Sequence, residues 1–414
     1  MNRFDVIIVG AGMAGMTLAL ALNQGGLKVA LVEKDVLASH LDQAYDGRAS
    51  AIAYACFRQW KALGLGDVLE KDACRMDEII VNDGYLPGPA SKTALPFYLH
   101  FLSQDISSRS DNEPLGYMVE NRATRQALYQ AIVARDIALF APAEIEDADT
   151  TQTLARLSLK SGETLSAPLI VSAEGRGSRL RKEAGIEHIG WDYGQSAIVA
   201  TVQMQRPHNQ KAYEYFLPSG PFAILPLTHN RACIVWSESH AKAKALLAMG
   251  DDLFHAHLMR RFGEFAGEVR VVGKRFIYPL SLGLATSMIG PRLALLGDAA
   301  HGIHPIAGQG LNLGLKDVAA LAQVLIEAAR LGEDIGSSLV LQRYQQWRRF
   351  DNVSTSVIMD GFVRLYSNNN PILRRLRGVG MGMVQGFDPL RRFFMEDAGA
   401  ATGDLPKLLR GETI

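Results

Sequence analysis

The chain begins with short apolar segments whose periodicity changes from that of a strand to that of a helix and back. Residues 4–9 form a run typical of a short buried strand, and residues 13–24 follow with a helical pattern. Residues 27–34 then form a second strand-like run. Strand, helix and strand within about 35 residues predict a βαβ unit at the N-terminus.

The next part of the chain alternates between helical and β-forming patterns. Helical patterns at residues 51–63 and 122–135 enclose residues 82–101, which are rich in turn residues and β-formers. This middle stretch is expected to leave the first domain. Strand-like runs return at residues 155–175, where "KSGE" predicts a hairpin turn.

A change of pattern marks residues 197–280, where short β-rich runs are punctuated by proline and glycine. They predict a separate, mainly antiparallel sheet with one helix near residues 252–261. The apolar run at residues 292–298 then predicts a buried strand of the first type of domain, and the pattern beyond Ser338 is mostly helical.

The chain is therefore expected to leave an α/β domain and to return to it. The predicted first domain comprises residues 1–75, 105–182 and 283–340, the sheet domain residues 76–104 and 183–282, and the helical C-terminal region residues 341–414.

Composition narrows the functional classes. The 414 residues include 43 basic and 43 acidic side chains, and this balance argues against a nucleic-acid binder. Three scattered cysteines provide neither a zinc site nor a disulfide framework. Apart from the glycine-interrupted N-terminus, no window reaches 18 uninterrupted apolar residues. We expect a cytoplasmic protein.

The first motif with a chemical meaning is a glycine-rich turn between the first strand and the first helix. Gly10, Gly12 and Gly15 have the GxGxxG spacing, and Glu33 follows about twenty residues later at the end of the second strand. Such a turn lets a pyrophosphate approach the helix N-terminus, while the acid binds a ribose. The motif predicts dinucleotide binding without distinguishing NAD from FAD.

The second motif, "LALLGDAAHGIHPIAGQGLNLGL", joins an apolar strand to a helix. Asp298, His301 and His304 have a spacing that would suit a metal only on a continuous helix, which Gly302 and Pro305 disfavour. We therefore expect no metal. The glycines before the helix instead favour backbone N–H groups directed at an anionic or electron-rich group.

This motif resembles the second FAD signature of class A flavoprotein aromatic hydroxylases. The resemblance implies that Asp298 binds the ribitol of FAD and that the following loop lies against the flavin, with N–H groups near its pyrimidine edge. The residues that it assigns to FAD binding are Gly297, Asp298, Pro305, Gly308, Gln309, Gly310, Leu311 and Asn312.

The third motif, "AEGRGSRLRKEAGI", resembles an intermediate signature of the same family, which binds FAD and NAD(P)H. That signature has aspartate where this chain has Glu174, followed by Gly175. The alternative is a helix N-terminus with a basic first turn. The resemblance also places Arg48 and Arg122 beside FAD. For Arg122 an ordinary exposed helix position is the alternative.

A further resemblance concerns the segment "AYEYFLPSGPFAILPL" and the following "ACIVWSE". Residues 216–227 and the pair Val235–Trp236 are similar to the ubiquinone-biosynthesis flavin hydroxylases. The implied fold is α/β: a three-layer, Rossmann-like FAD-binding domain like that of para-hydroxybenzoate hydroxylase, with an inserted antiparallel substrate sheet and a helical C-terminal region.

The implied activity is hydroxylation of the ring of a polyprenylated phenol with O2 in ubiquinone biosynthesis. In this family NAD(P)H reduces FAD, and oxygen adds to the reduced flavin as a C4a-hydroperoxide that the ring attacks. We assign no catalytic base from the sequence. His304, Pro305 and Tyr215 are candidate polar or loop residues of the pocket, with ordinary core packing as the alternative for His304 and Tyr215.

Three other functions stay open. They are a hydroxylase of a small soluble aromatic acid, a flavin reductase of isoprenoid double bonds, and a non-catalytic FAD-stabilised subunit of a biosynthetic complex.

The C-terminal region interleaves arginines with apolar residues. It predicts either peripheral contact with the inner membrane or another subunit, including a second copy, or a helical domain packed on the core. These residues are Arg343, Arg348, Arg349, Arg364, Arg374, Arg375, Arg377, Arg391 and Arg392, with Phe362, Leu365, Tyr366, Leu373, Leu376, Met381, Met383, Phe393 and Phe394.

Overall fold

The N-terminal apolar segments form the centre of a largely parallel sheet. The computed structural model describes residues 2–41, 48–84, 98–105, 113–263, 265–304, 306–367, 370, 377, 381, 384–385, 387 and 403–414. The strands of this sheet are β2 (Val6–Val9), β3 (Val29–Val32), β9 (Ala138–Phe140), β13 (Leu169–Ser172), β19 (Ile289–Gly290) and β20 (Leu293–Leu295). They lie in the order β19-β20-β13-β2-β3-β9, and only β19 runs antiparallel to its neighbour.

This sheet is buried because its strands are continuous apolar runs. Both β2 and β3 are fully buried, as expected for parallel strands covered on both faces. Helices cover one face, and a second sheet shares the same apolar core. That second sheet contains β1 (Asn2–Arg3), β10 (Ile145–Asp149), β11 (Ala155–Leu159) and β12 (Thr164–Ala167), in the order β1-β12-β11-β10.

The β-rich middle of the chain forms a large, mainly antiparallel sheet. Its strands are β6 (Glu78–Asn82), β7 (Tyr98–Leu102), β14 (His188–Met204), β15 (Lys211–Leu217), β16 (Gly220–Leu227), β17 (Arg231–Ser239), β18 (Val269–Ala285) and β21 (His301–Gly302). The order is β21-β18-β14-β17-β16-β15-β6-β7, with one parallel pair, β15 and β6. A small sheet, β4 (Ala49–Ala53), β8 (Gly116–Glu120) and β5 (Ala73–Met76), lies in the order β4-β8-β5.

The helices of the described residues pack on these sheets. They are α1 (Met13–Gln24), α2 (Tyr54–Ala62), α3 (Gly66–Glu70), α4 (Asn121–Ala134), α5 (Arg179–Glu183), α6 (His240–Ala248), α7 (Asp251–Phe262), α8 (Gln309–Arg330) and α9 (Ser338–Tyr366). Helix α8 packs between α1 and α9. Ser337 caps α9 by accepting a hydrogen bond from the N–H of Val340. None of the described helices is long and apolar enough to span a bilayer.

Most predicted elements are confirmed, but one helix start is wrong, and residues 197–280 contain two helices, α6 and α7, where one was predicted. The helix predicted at residues 13–24 has those bounds, and those at 122–135 and 252–261 differ by one residue at each end. The "KSGE" turn is present, since the N–H of Leu159 donates to the carbonyl of Glu163. Residues 51–53, predicted as helix, belong to β4 because pairing with β8 outweighs the helix propensity of alanine.

The chain leaves the parallel sheet, builds the large sheet and returns to the parallel sheet, as the sequence predicts. Strands β6 and β7, from the stretch expected to leave the first domain, extend the large sheet. Strand β20 then joins the parallel sheet beside β13. The exact domain limits stay a prediction. Much of the C-terminal arginine-rich region, including Arg374, Arg375, Arg391 and Arg392, lies outside the described residues.

Candidate active site

A cavity of about 2130 Å³ lies where the parallel sheet, the large sheet and α9 meet. All the sequence-predicted cofactor residues line it except Arg122, and except Pro305, which lies outside the described residues. The structure therefore brings the three motifs together from distant parts of the chain.

The turn before α1 has the close packing that its glycines require. A Cβ on Gly10, whose φ is +106°, would lie 2.4 Å from the carbonyl oxygen of Ala173. A Cβ on Gly15 would lie 2.0 Å from the carbonyl oxygen of Gly10. A Cβ on Gly12 would meet no atom within 4 Å. Gly12 therefore leaves the cavity open in front of the helix.

Glu33 closes this end of the site from the end of β3. Its carboxylate accepts a hydrogen bond from the N–H of Ala11 at 2.8 Å and one from the N–H of Asp35 at 3.1 Å. The side chain is buried and lines the cavity. These bonds fix the acid against the turn that precedes α1.

The second helix N-terminus at the cavity belongs to α8. Gly308 begins the helix with φ +63°, and a Cβ there would lie 2.8 Å from Cβ of Ala51. The Asn312 side chain accepts a hydrogen bond from the N–H of Ala53 and donates to the carbonyls of Ala51 and Gly308. Asn312 thus holds β4 against the start of α8.

Asp298 is paired with an arginine that sequence analysis did not assign. Its side chain is 47% exposed and lies 3.4 Å from Nε of Arg176. Arg176 also donates to Ser281 on β18 and to the carbonyl of Ile303. It therefore connects the third motif with the loop before α8. The position of Arg176 within the motif "AEGRGSRLR" was the sequence pattern that could have identified it.

Glu174 orders the third motif. Its Oε2 accepts hydrogen bonds from the hydroxyls of Ser172 and Ser178 and from the N–H of Leu180. The carboxylate lies at the start of α5, and the adjoining Gly175 has φ +77°. Glutamate can thus fill the acid position of the signature by capping the short helix that follows.

A buried ion network lies behind the loop before α8. The carboxylate of Asp317 on α8 is fully buried, and it contacts Nε2 of His301 at 2.5 Å and Nε of Arg348 at 2.8 Å. Asn352 donates to the same carboxylate at 3.0 Å. Burial alone would raise the pKa of Asp317, but the charges and hydrogen bonds of His301 and Arg348 lower it to about 2. Sequence analysis missed this network because its members are distant along the chain.

His304 is a neutral residue of the cavity wall. Its Nδ1 accepts a hydrogen bond from the N–H of Ile306 at 3.2 Å, and the edge of its ring meets Tyr193. Burial, with a smaller effect of Arg176, lowers the pKa of His304 to about 3. It therefore does not titrate near neutral pH. Its Nε2 has no hydrogen-bond partner among the described residues.

The three side chains with a metal-like spacing have separate partners. Asp298 is paired with Arg176, His301 with Asp317, and His304 with the N–H of its own loop. Within the described ranges, no group of three or more His, Cys, Asp or Glu side chains is arranged to hold a metal ion.

The two predicted arginines have different positions. Arg48 lines the cavity and stacks over the ring of Tyr278 at 4.6 Å. Arg122 is exposed and lies outside the cavity lining, whereas Arg125, nearly one turn later on α4, is buried and lines it. The structure therefore places Arg125 rather than Arg122 at the cavity, because helical periodicity turns residue 122 towards solvent.

Tyr215 lies on the wrong face of the large sheet for a pocket residue. Its side chain is buried among the apolar residues beneath α6 and α7. Strand alternation instead directs Glu214 and Phe216 to the opposite face, and both line the cavity. The alternation of residues along "AYEYFL" was the sequence pattern that could have predicted this orientation.

Comparison with known proteins agrees with this geometry. The FAD binding domain family matches residues 3–353. The chain is 42% identical to "Ubiquinone hydroxylase UbiL" of Rhodospirillum rubrum over 98% of this chain and 92% of that protein. It is 36% identical to "3-demethoxyubiquinol 3-hydroxylase" of Escherichia coli, over 94% and 96% of the two chains. The chain belongs to the ubiquinone-biosynthesis flavin hydroxylases.

The fold comparison gives the same family architecture. The crystal structure of p-nitrophenol 4-monooxygenase PnpA from Pseudomonas putida superposes with a TM-score of 0.79 at 18% identity. It covers 98% of this chain and 100% of that one. This likeness shows the expected α/β fold. The family match and the two relatives show an FAD-dependent aromatic hydroxylase, and NAD(P)H is the reductant typical of its family.

The site of this hydroxylase fits FAD on two independent observations. No side chain among the described residues caps the N-terminus of α1 or α8, and both termini border the cavity. Uncapped N–H groups and the helix dipole favour an anionic ligand. The cavity volume also exceeds the roughly 300–1,000 Å³ of a typical ligand pocket, which leaves room for a second molecule.

The two glycines of the first turn provide a matched test. Gly15→Ala is expected to destabilise the fold by about 1–3 kcal/mol, because its Cβ would overlap the Gly10 carbonyl. Gly12→Ala should fold normally but bind FAD at least about tenfold more weakly, because its methyl projects into the cavity. Thermal denaturation of the apoprotein and fluorescence titration with FAD measure the two effects. Equal losses of stability in both variants would contradict this assignment.

The Asp317 network provides a second test. Asp317→Asn is expected to lower the free energy of unfolding by about 3–5 kcal/mol at pH 7, because it removes the buried anion that pairs with the Arg348 guanidinium. Since the folded state lowers the pKa of Asp317, its stabilisation is complete above the ordinary value of 3.8 and is lost as pH falls towards 2.

Urea denaturation from pH 7 to pH 3 measures this difference. Asp334→Asn is the control, because it breaks a partly exposed ion pair with Arg292 and should cost at most about 1 kcal/mol. A difference between wild type and Asp317→Asn that stayed constant below pH 4 would exclude the carboxylate as its source.

Proposed function

We propose that this protein hydroxylates the ring of a polyprenylated phenol in ubiquinone biosynthesis, with FAD, NAD(P)H and O2. The observation that carries the proposal is the continuity of one cavity from the flavin motifs to a large apolar end. Two relatives whose names state hydroxylation on the ubiquinone pathway match nearly the whole chain. A substrate with an apolar tail suits such a cavity.

At the cofactor end of the cavity, different motif residues would bind different parts of FAD. The N-terminus of α1 would bind the pyrophosphate, and Glu33 the ribose. Asp298 would bind the ribitol, and the N–H groups at the start of α8 would face the pyrimidine edge. Arg125 would supply a cation beside the cofactor. When bound, FAD accepts a hydride from NAD(P)H and activates oxygen for transfer to the ring.

The apolar end would hold the substrate and keep water away. Phe216 from β15 and Ile306 from the loop before α8 pack with Val363 and Tyr366 of α9. Val81, Leu99, Phe362 and Leu365 pack around them. A dry, apolar surrounding favours transfer of oxygen to the ring over its loss to water.

The ion pair and hydrogen bonds of Arg377 disfavour a small aromatic acid as the substrate. This arginine is buried and lines the apolar end, where a substrate carboxylate would need a cation. Its guanidinium lies 3.3 Å from Asp83 and donates to the carbonyls of Leu365 and Tyr366 at the end of α9. Arg377 therefore binds the last carbonyl groups of α9, and its charge is already paired with the carboxylate of Asp83.

Turnover of a short prenyl phenol tests the function. FAD-loaded protein with 2-geranylphenol, NADH or NADPH and ¹⁸O₂ is expected to give a ring product that carries one labelled oxygen. Mass spectrometry and NMR identify the product and the ring carbon. An anaerobic product with a saturated prenyl double bond would favour the reductase, and no product under any condition would favour the non-catalytic subunit.

Contact with a membrane is the second part of the proposal, because a polyprenyl phenol dissolves in lipid. Helix α9 exposes Phe350 and Val357, which are 82% and 64% accessible. Trp191 of β14 lies beside the same helix, with its indole N–H donating to Asp360 and the Arg364 guanidinium over its ring. Apolar side chains flanked by arginines suit an anionic lipid surface.

Vesicle sedimentation tests this surface. The double variant Phe350→Ser, Val357→Ser is expected to bind vesicles of phosphatidylglycerol and phosphatidylethanolamine at least about tenfold more weakly, because two apolar side chains are lost from the contact. Leu331→Ser, at the exposed end of α8, is the control and should bind as the wild type does. Equal binding by all three proteins would exclude this face of α9.

A further inference from the structure

One acidic residue of the cavity has no role in the site as described so far. Glu214 lies on β15, where it is paired with Ala223 of β16 on one side and Val81 of β6 on the other. Its side chain lines the cavity, while the neighbouring Tyr215 is buried on the opposite face of the sheet. Glu214 is therefore an acid within an apolar wall.

Among the described residues, no charged group compensates the carboxyl group of Glu214. Its carboxyl group has no hydrogen bond or ion pair among the described residues. Burial is the one cause that raises its pKa, to about 8. By contrast, Glu78 on the adjacent β6 is paired with Lys211 and His100, and Glu238 on β17 with Arg261 and Lys242.

The cavity that Glu214 lines also includes the following groups. The cavity-facing side chains of β6 and β16 are apolar. Tyr366, at the end of α9, and Arg377 are titratable groups of the cavity's apolar end, and the cation of Arg377 is paired with Asp83. From the loop before α8 comes His304, which is neutral near pH 7. The apolar side chains are Ile79, Val81, Pro221, Ala223 and Leu225.

Glu214 is linked through its neighbour Phe216 to the loop before α8, which the family resemblance places against the flavin. Phe216, two residues further along β15 on the same face, packs in one cluster with Ile306 of the loop before α8. Two residues along a strand span roughly 6.6 Å. A phenol ring placed next to Phe216 and the loop would therefore have Glu214 within reach of its hydroxyl.

We propose that Glu214 binds the ring hydroxyl of the phenol and accepts its proton as the ring is hydroxylated. This inference rests on the proposed function. An unpaired carboxyl group in an apolar wall is costly unless a ligand supplies the missing partner. A phenol hydroxyl is such a partner, because it can both donate to the carboxylate and accept from the carboxylic acid.

The proton transfer balances without a further reactant. The O–H bond of the phenol breaks, its proton goes to the Glu214 carboxylate, and the electron pair stays on the phenol oxygen and increases electron density in the ring. The ring carbon then forms a bond to one oxygen atom of O2 while the O–O bond breaks, and the hydrogen of that carbon leaves as a proton when the ring becomes aromatic again. The second oxygen atom leaves as water, with NAD(P)H as the reductant. Glu214 afterwards releases its proton to solvent. A base with a pKa near the working pH suits this task.

The experiment compares wild type with Glu214→Gln and Glu214→Leu, all loaded with FAD. Glutamine keeps the size and hydrogen-bonding capacity of the side chain but cannot take the proton, whereas leucine removes both functions. Glu78→Gln on the adjacent strand is the control, because it makes the same chemical change away from the cavity lining. Bound FAD per chain shows that each variant has folded.

Equilibrium binding of 2-geranylphenol and of its methyl ether, followed by flavin absorbance, needs no turnover. Wild type is expected to prefer the phenol by about tenfold, because the ether lacks the donor. Glu214→Gln should keep most of this preference, and Glu214→Leu should lose it. A wild type without a preference, or a leucine variant that retains it, would overturn the role of Glu214 in binding.

The pH profile separates proton transfer from binding. For wild type, kcat/KM for the phenol should rise with pH and level off above about 8, because only the carboxylate accepts the proton. Glu214→Gln should lose about 100-fold in kcat and show no bend at that pH. Equal kcat and an unchanged bend in this variant would overturn proton transfer by Glu214.

These measurements also distinguish failure of the inference from failure of the proposed function. If wild type binds the phenol with preference but does not hydroxylate it, the proposed reaction is wrong and Glu214 remains the group that recognises the hydroxyl. If wild type hydroxylates the ring and Glu214→Gln equals it, the reaction stands and its assignment to Glu214 is wrong.

Discussion

A single buried carboxylate, that of Asp317, ties together the elements that enclose the cavity. It lies on α8, accepts hydrogen bonds from the loop before that helix through His301, and is paired with Arg348 of α9. A buried charge costs several kcal/mol unless its partners stay in place. The loop beside the cofactor end and the helix beside the apolar end are therefore held in one fixed relation.

Local patterns predicted the parts of the fold that depend on neighbours in sequence. The βαβ unit, the turn with Gly10 and Gly15, and helix α7 follow from periodicity and backbone sterics, which act over a few residues. The motif around Asp298 was informative because one continuous segment supplies both a strand end and a helix start. Its family resemblance then predicted the α/β architecture as a whole.

Long-range contacts account for what the sequence did not predict. Residues 51–53 are strand because β8 pairs with them. Arg125 rather than Arg122 reaches the cavity because the orientation of α4 depends on its packing. The network of Asp317 joins residues from three segments. Glu214 could have been found, since alternation along β15 places it on the face opposite Tyr215.

The order of strands in the parallel sheet has a consequence for folding during synthesis. Strand β13 lies between β2 and β20, and every strand of the large sheet except β21 is translated before β20 and α8. Until then β13 has an unpaired, apolar edge, and such edges promote aggregation. The nascent chain consequently has no complete cofactor site until α8 has been translated, so FAD can act as a folding ligand only after that point.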